Sequence, residues 1–366
     1  MEGNDSADSA ISKGPLKRYY AFMKYKKELS VVKSNFPPLH AVELQNVFSQ
    51  RLEKGLMHAE VGSIKHVELS SEEGEDQILS CYYYAVDIED SSSSEDDTKI
   101  KYIICFLLEQ ELTLELYRGD LEKYCCEIMK PIKDKTIHIA SSDDLTQSFL
   151  QSMVDWYTVA VEFVTRTKQI LGDNLKYLIY SALHDDTLTI TGGTDQQQND
   201  IRRFYDTCGL SSILSQLRET RYKQETGSIS SSVDMLADVD NQLSDTHDSI
   251  NLNILSDEVK VDSDRCNKFC EEWANAMNRP EFDGNPTKQK QVVEAFKLKF
   301  IHTMNTLKRL LREAENDFYA LYRSFVFLRD SGNSEILLHF VTTEGAIDTA
   351  DVLCVLKDFL KEEKVC

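Results

Sequence analysis

Glycine and proline are scarce in this chain, at 14 and 6 of 366 residues. That excludes collagen-like repeats and chain-wide low complexity, which need far more of both. Basic charge is scarce as well. Forty-one Lys and Arg stand against 62 Asp and Glu, a formal net charge of −21, so most of the surface repels a nucleic acid. An anionic membrane surface is repelled too, unless the basic residues gather on one face. Long apolar runs are missing: Tyr102–Leu108 and Val352–Leu356 are the most apolar stretches, and a bilayer-spanning helix needs ~20 residues. Residues 1–14 are polar and acidic, with no apolar segment to serve as a secretory signal. Cys366 lacks the three following residues of a prenylation box. The expectation is a cytosolic chain with no nucleic-acid partner and no integral membrane segment. In that compartment the nine cysteines, odd in number and irregular in spacing, read as reduced thiols.

What is present suffices for a sizeable core: 41% hydrophobic residues, 16 Phe and 16 Tyr. The length suits about two domains. Residues 1–16 read as a disordered tail and 17–140 as an α+β domain with an antiparallel sheet. In that domain strands are expected at Arg18–Tyr25, Ser63–Leu69, Ile78–Ile88, Lys99–Leu108 and Thr113–Tyr117. Helices are expected at His40–Lys54, stopped by Gly55 as a C′ residue, and at Asp120–Met129. Strands followed by a run of helices give an α+β fold, and a sheet flanked by helices admits a longin-like arrangement by analogy.

Residues 141–222 read as helical, with one apolar period from Leu145 to Ile170 and further helices at Leu175–Leu183, Asp195–Thr207 and Leu210–Tyr222. Lys223–Arg265 has ten acidic and three basic residues and no aromatic one. It buries too little apolar surface to offset its ordering entropy, so 223–264 is assigned as an acidic disordered linker. Residues 265–366 form a mainly helical C-terminal region. There Asn285 and Pro286 mark a helix start. From Val293 to Leu328 apolar residues recur at intervals of three and four without Gly or Pro, which predicts one long amphipathic helix over 286–330, roughly 60 Å. A strand at Glu335–Val341 and a helix at Asp348–Glu362 are expected to close the chain.

No chemical motif stands out. Cys266-x₃-Cys270 lacks the second ligand pair of structural zinc and reads as one buried and one half-exposed thiol beside Trp273; Cys125-Cys126 point about 100° apart on a helix and read as packing residues. Gly192-Gly193 in TITGGTD lacks the Lys-Ser/Thr of a phosphate loop and reads as a turn after a short strand. Asp238, Asp240, Asp245 and Asp248 lack the Gly and Glu of a calcium loop. No Gly-x-Ser-x-Gly elbow occurs, and His184-Asp185-Asp186 reads as an ordinary helix end. No catalytic, cofactor-binding or metal residue is assigned, and no cofactor. Acids three residues after Ser92, Ser93 and Ser94 suit an acid-directed kinase, each phosphate adding up to ~2 charges. Thr287–Glu313 carries seven basic and two acidic residues. Its Lys297, Lys299, Lys308, Arg309 and Arg312 are the expected contact surface for an acidic partner, while the apolar stripe of the same helix is expected to be core.

Strings rather than motifs carry a resemblance. They are RCNKFCEEW (265–273), Gly284-Asn285-Pro286 and QVVEAFKLKFIHTMNTLKRLLREAENDFYALYRSFVFLRDSGNSEILL (291–338). Weaker ones are RYYAFMKYK (18–26), SQRLEKGLM (49–57), VGSIKHVEL (61–69), SCYYYAV (80–86) and YIICFL with LELYRGDLEKY (102–124). Together they resemble the Njmu-R family, the smallest subunit of the WD-repeat-eleven vesicle-tethering complex. The resemblance implies a non-enzymatic subunit, cytoplasmic and peripheral at the trans-Golgi network and on vesicles. Its implied partners are a WD-repeat propeller subunit and a second large helical subunit, with a TBC-domain golgin adaptor met indirectly. The implied role is golgin-mediated capture of endosome-derived, clathrin-adaptor vesicles, with a part in spermatogenesis. This chain differs from the family pattern in a shorter N-terminal tail and a longer acidic linker. A cytosolic enzyme with a site assembled from distant residues, and a longin-like regulator of a small GTPase, are the alternatives.

Overall fold

Five segments of alternating or continuous apolar residues in the N-terminal half pair into one sheet, and helices of the same unit cover it on both faces. The computed structural model describes residues 17–57, 60–70, 77–89, 99–109, 113–134, 145–210, 249–255, 258–343 and 350–365. It divides into two units, one up to Val161 and one from Glu162.

The first unit runs β1 (Arg18–Tyr25), β2 (Leu29–Ser34), α1 (Pro38–Glu53), β3 (Val61–Leu69), β4 (Gln77–Glu89), β5 (Lys99–Leu108), α2 (Thr113–Leu116), α3 (Arg118–Lys133) and α4 (Gln147–Ala160). Its sheet is antiparallel throughout, in the order β2-β1-β5-β4-β3. Central β5 is buried from Tyr102 to Leu108, which is why KYIICFLL does not alternate: both of its faces are dry. On one face Leu44 and Phe48 of α1 pack with Leu79, Cys81, Tyr83, Cys105 and Leu107. On the other, Phe106 stacks on Trp156 of α4 at 4.8 Å and meets Tyr124 of α3 at 6.2 Å, and Phe22 meets Phe149 edge-on at 5.1 Å. Gly55 follows α1 at φ 62°, the left-handed C′ position expected of it.

The second unit runs α5 (Phe163–Leu171), α6 (Leu175–His184), β6 (Thr187–Gly192), α7 (Asp195–Cys208), β7 (Ser249–Ile254), β8 (Val259–Val261), α8 (Lys268–Met277), α9 (Pro286–Ala314), α10 (Phe318–Ser331), α11 (Ser334–Thr343) and α12 (Ala350–Val365). Its small sheet has the order β6-β7-β8, with β6 parallel to β7 and β7 antiparallel to β8. The turn after β6 needs glycine. Gly192 and Gly193 have φ 72° and 67°, and a Cβ on Gly192 would lie 2.3 Å from the Ile254 carbonyl oxygen. The next residue, Thr194, caps α7 in a reciprocal box with Gln197. Arg166 of α5 grips the buried Asp200 of α7 with two hydrogen bonds of 2.7 Å, a bidentate pair that fixes the crossing of those helices.

Several expectations are corrected. The helix over 286–330 is two helices, α9 and α10, about 44 Å and 21 Å long at 1.5 Å per residue. Asp317, at φ −139° and ψ 111°, leaves helical geometry and accepts a 2.8 Å hydrogen bond from the Tyr319 N–H, the geometry of an N-cap. The strands expected at Thr113–Tyr117 and Glu335–Val341 are helical. In each the buried residues fall on a helical face: Leu114 and Tyr117 in the first, Ile336, Leu337, Phe340 and Val341 in the second. The single period from Leu145 to Ile170 divides into α4 and α5 at Val161 and Glu162, and α4 belongs with the sheet, so the first unit reaches Val161 and not 140. The strand β2 was not expected. The linker assigned to 223–264 ends early, because Ser249–Ile254 and Val259–Val261 are strands and Ile250, Leu252 and Ile254 are buried. The tail at 1–16, the helix expected at Leu210–Tyr222 beyond residue 210, Asp238–Asp248 and Ser92–Ser94 lie outside the described residues.

Each unit holds one of the chain's two tryptophans, Trp156 and Trp273, so each unit's unfolding has its own fluorescent reporter. Phe106→Ala in a Trp273→Phe background removes a ring with no solvent exposure that stacks on Trp156. The urea transition of Trp156 fluorescence should lose about 3–5 kcal/mol. An unchanged midpoint would mean that the stack contributes nothing to that unit.

Candidate functional site

In the second unit a cleft of about 750 Å³ lies between α8, α9 and α10. Local sequence places each wall. Asn285 accepts the Lys288 N–H at 3.0 Å and Pro286 takes the first helical position, as expected, so α9 starts where the sequence says. Its Val293, Phe300, Met304, Leu307 and Leu311 are buried, and the apolar stripe is used in the unit's own core. Asn267 caps α8 by accepting the Cys270 N–H at 2.9 Å. Phe269 and Trp273 then turn onto α9, with Trp273 stacked on Phe296 at 5.4 Å and Phe269 edge-on to it at 5.5 Å. Because Asp317 ends the helical run, α10 folds back along α9 as a helical hairpin.

The flank of α9 left beside its buried stripe forms one wall: Lys299, Thr303, Thr306 and Leu310, at helical intervals of four, three and four. Tyr319, Arg323, Val326 and Asp330 form the other at the same intervals. Lys268, Phe269 and Glu272 of α8 close one end. Four cations therefore face two carboxylates, Glu272 and Asp330, in a chain of charge −21. Lys299 lies 3.3 Å from Glu272, and Arg323 lies 3.9 Å from Glu313, all four side chains about half exposed; such pairs contribute at most about 1 kcal/mol and exchange readily. Lys268 and Arg309 have no carboxylate within ion-pair distance among the described residues. Tyr319 and Tyr322 are 68% and 61% exposed, and Phe318 beside them is 91% exposed. The lining contains no His and no Cys. Its chemistry is that of binding: cations, phenols and an apolar floor.

Of the basic residues singled out in the sequence, Lys299 and Arg309 line this cleft; Lys297, Lys308 and Arg312 do not. Lys268 and Arg323 come from neighbouring helices and were missed. The readable signal was the Tyr319, Tyr322 and Arg323 spacing on α10, since Tyr and Arg are the residues that interfaces favour.

A second polar group forms at the end of α6. Asp185 adopts φ 62°, turning the chain so that the buried Asp186 meets the His184 ring nitrogen Nδ1 at 2.7 Å. His339 of α11 stacks on His184 at 4.3 Å. Tyr205 donates to the Ser181 carbonyl at 3.1 Å and to that of Asp186, and Tyr180 donates to Glu335 at 3.1 Å. This network ties α6, α7 and α11 together and does not line the cleft, which fits the reading of His184-Asp185-Asp186 as a helix end. Of the paired cysteines, Cys270 is buried and Cys266 half-buried, as expected, but only Cys125 of the adjacent pair is packed: Cys126 is exposed. Burial pushes the Cys125 and Cys270 thiols well up, away from the reactive thiolate. Among the described residues no group of three or more His, Cys, Asp or Glu is placed to hold a metal ion.

Burial, and then the Glu335 carboxylate, pushes the Tyr180 phenol up to about 12 from an ordinary 10.0; burial raises Tyr205, Tyr82 and Tyr84 further. The unfolded chain then releases these protons first, so stability that is full below pH 10 falls as pH rises from 10 towards 12. A titration of tyrosinate absorbance should leave these four phenols un-ionised after the exposed ones have titrated. Tyr180→Phe should flatten the alkaline fall in stability; the same slope in the variant would contradict the assignment.

Two comparisons bear on kinship. A model of the Njmu-R1-like protein family matches residues 6–362. Protein Njmu-R1 of Mus musculus is 27% identical over 344 residues, covering 92% of this chain and 81% of the mouse protein.

Proposed function

Because the chain belongs to the Njmu-R1-like family, we propose that it is a non-enzymatic subunit of a vesicle-tethering complex. In this reading it assists golgin-mediated capture of endosome-derived, clathrin-adaptor vesicles at the trans-Golgi network. It binds a WD-repeat propeller subunit and a second large helical subunit, and meets a TBC-domain golgin adaptor through them. In this reading it is peripheral to the membrane; no helix among the described residues is long and apolar enough to cross one. The observation that carries the reading is the family match along nearly the whole chain, 6–362. The cleft supports it, since exposed Tyr and Arg side chains over an apolar floor are the composition of a protein-binding surface. The sheet order β2-β1-β5-β4-β3, with α1 on one face and α3 and α4 on the other, is in keeping with a longin-like first unit, an analogy of fold and not of function.

The test uses the full chain, since α8 to α12 pack within the second unit. Tagged protein recovered from cell extract should bring down a WD-repeat propeller subunit and a large helical subunit in near-equal amounts, and its depletion should slow delivery of endosome-derived vesicles. Folded full chain that retrieves no propeller subunit would overturn the proposal.

A further inference from the structure

We propose that the α8–α10 cleft holds a short acidic segment of a partner protein, with one apolar side chain seated on Leu310, Val326 and Phe327 and carboxylates reaching Arg309 and Arg323. That the occupant belongs to a protein rests on the tethering reading; its chemistry rests on the cleft alone.

The charged side chains of the cleft that lack a partner among the described residues, Lys268 and Arg309, are both donors. The hydroxyls of Thr303 and Thr306 already donate to the carbonyls one turn back, Lys299 at 2.7 Å and His302 at 3.0 Å. The side chains of Arg309, Lys268, Tyr319 and Tyr322 have no hydrogen-bond partner among the described residues. A ligand that satisfies them must be rich in acceptors, and a guanidinium pairs best with a planar carboxylate, two bonds at a time. Charge agrees: four cations and two acids line the site while the whole chain carries −21, a local reversal that draws an acidic partner and repels another copy of this chain.

Shape selects a segment over a small anion. The wall from Lys299 to Leu310 is about 16 Å long at 1.5 Å per residue, room for about five extended residues at 3.3 Å each. The floor is apolar, with Leu310 buried and Val326 and Phe327 half-buried, so an ion alone would leave it wet. At the end near the hairpin turn, Arg309 and Arg323 have no acid beside them among the lining residues. The exposed Glu313 just outside the lining lies 3.9 Å from Arg323, a pair an incoming carboxylate can replace. Lys268 and Lys299, by contrast, share the other end with Glu272 and Asp330. Carboxylates belong at the turn end. Phe318, Tyr319 and Tyr322 rim that same end and are the most exposed aromatic side chains described, surface that a chain leaves open where something covers it.

The probe is a fluorescein-labelled ten-residue peptide of Asp and Glu around a Leu-Phe pair, read by anisotropy against the full chain. The controls are the same peptide with Asn and Gln for its acids, and one with Ser for Leu and Phe. Saturable binding is expected for the first, weakened about tenfold or more by either control, since one charge-assisted hydrogen bond is worth about 1.5–3 kcal/mol. The R309E/R323E double variant should lose at least as much, with thermal unfolding unchanged; R309Q/R323Q, which spares the fold from charge reversal, should lose a smaller but measurable part. Equal affinity in either variant, equal affinity for the Asn/Gln peptide, absence of saturable binding to the folded wild type, or full displacement by citrate at the peptide's own concentration would overturn the proposal. The two readings fail separately. Wild type that recovers the propeller subunit from extract yet binds no acidic peptide removes only the cleft assignment. Wild type that binds the peptide through Arg309 and Arg323 yet recovers no propeller subunit removes only the tethering role.

Discussion

Between Ala314 and Phe318 the carboxylate of Asp317 competes with helix continuation for the backbone N–H groups that follow. By accepting the Tyr319 N–H it lets the chain turn, and the arrangement of the second unit's C-terminal helices depends on that turn. A continuous helix would keep Tyr319, Tyr322 and Arg323 in line with Arg309, far along a single rod. Broken at Asp317, the same residues stand across from Leu310 and Thr306 and enclose a trough. The cap is worth roughly 1 kcal/mol, which is little against the burial of α9.

The first unit obeys a different constraint. From Tyr102 to Leu108 β5 has no solvent face, and helices of that unit cover both of its sides. Phe106 and Ile104 are met by α3 and α4, and Cys105 and Leu107 by α1. From Tyr102 to Leu108 the strand is hydrophobic at every position and offers no alternation to set its register. Register instead comes from the neighbours β1 and β4, which pair with it over eight and ten residues without a slip, while the irregularities fall at the edges, between Phe22 and Met23 and between Ile64 and Val67.

Sequence pattern located the strands β1, β3, β4 and β5 because their apolar runs are dense, and located the starts of α9 and α1's end because Asn285-Pro286 and Gly55 are strong signals. It failed where periodicity cannot discriminate. Intervals of three and four persist through Ala314, Phe318 and Leu321, so counting cannot register a cap, although the Asn316-Asp317 dipeptide is itself a cap signal. Glu335–Val341 is rich enough in Ile, Leu, Phe and Val to imitate a strand, and only the buried pairs one turn apart distinguish it. Averaging charge over 223–264 hid Ser249–Ile254, where three apolar residues alternating with Ser and Asn suffice to make a strand once β6 lies alongside. The cleft was half visible: Lys299 and Arg309 stood out by charge, whereas Lys268 and Arg323 join them only through the fold.

The parallel pairing of β6 with β7 sets a schedule for the chain as it is made. Thr187 aligns with Ser249 and Gly192 with Ile254, so β6 waits for 62 more residues before its partner exists. At 5–20 residues per second, synthesis takes on the order of 3–12 s to supply them. The first unit has all its strands and helices in hand by Ala160, well before that interval begins. During it α5, α6 and α7 stand without the strand that covers Ile190 and without α9, whose Gln289 bonds to Thr165 at 2.7 Å. A nascent chain is therefore folded at its front and open behind, and that open stretch is where a chaperone, or an assembly partner made at the same time, would find this protein unfinished.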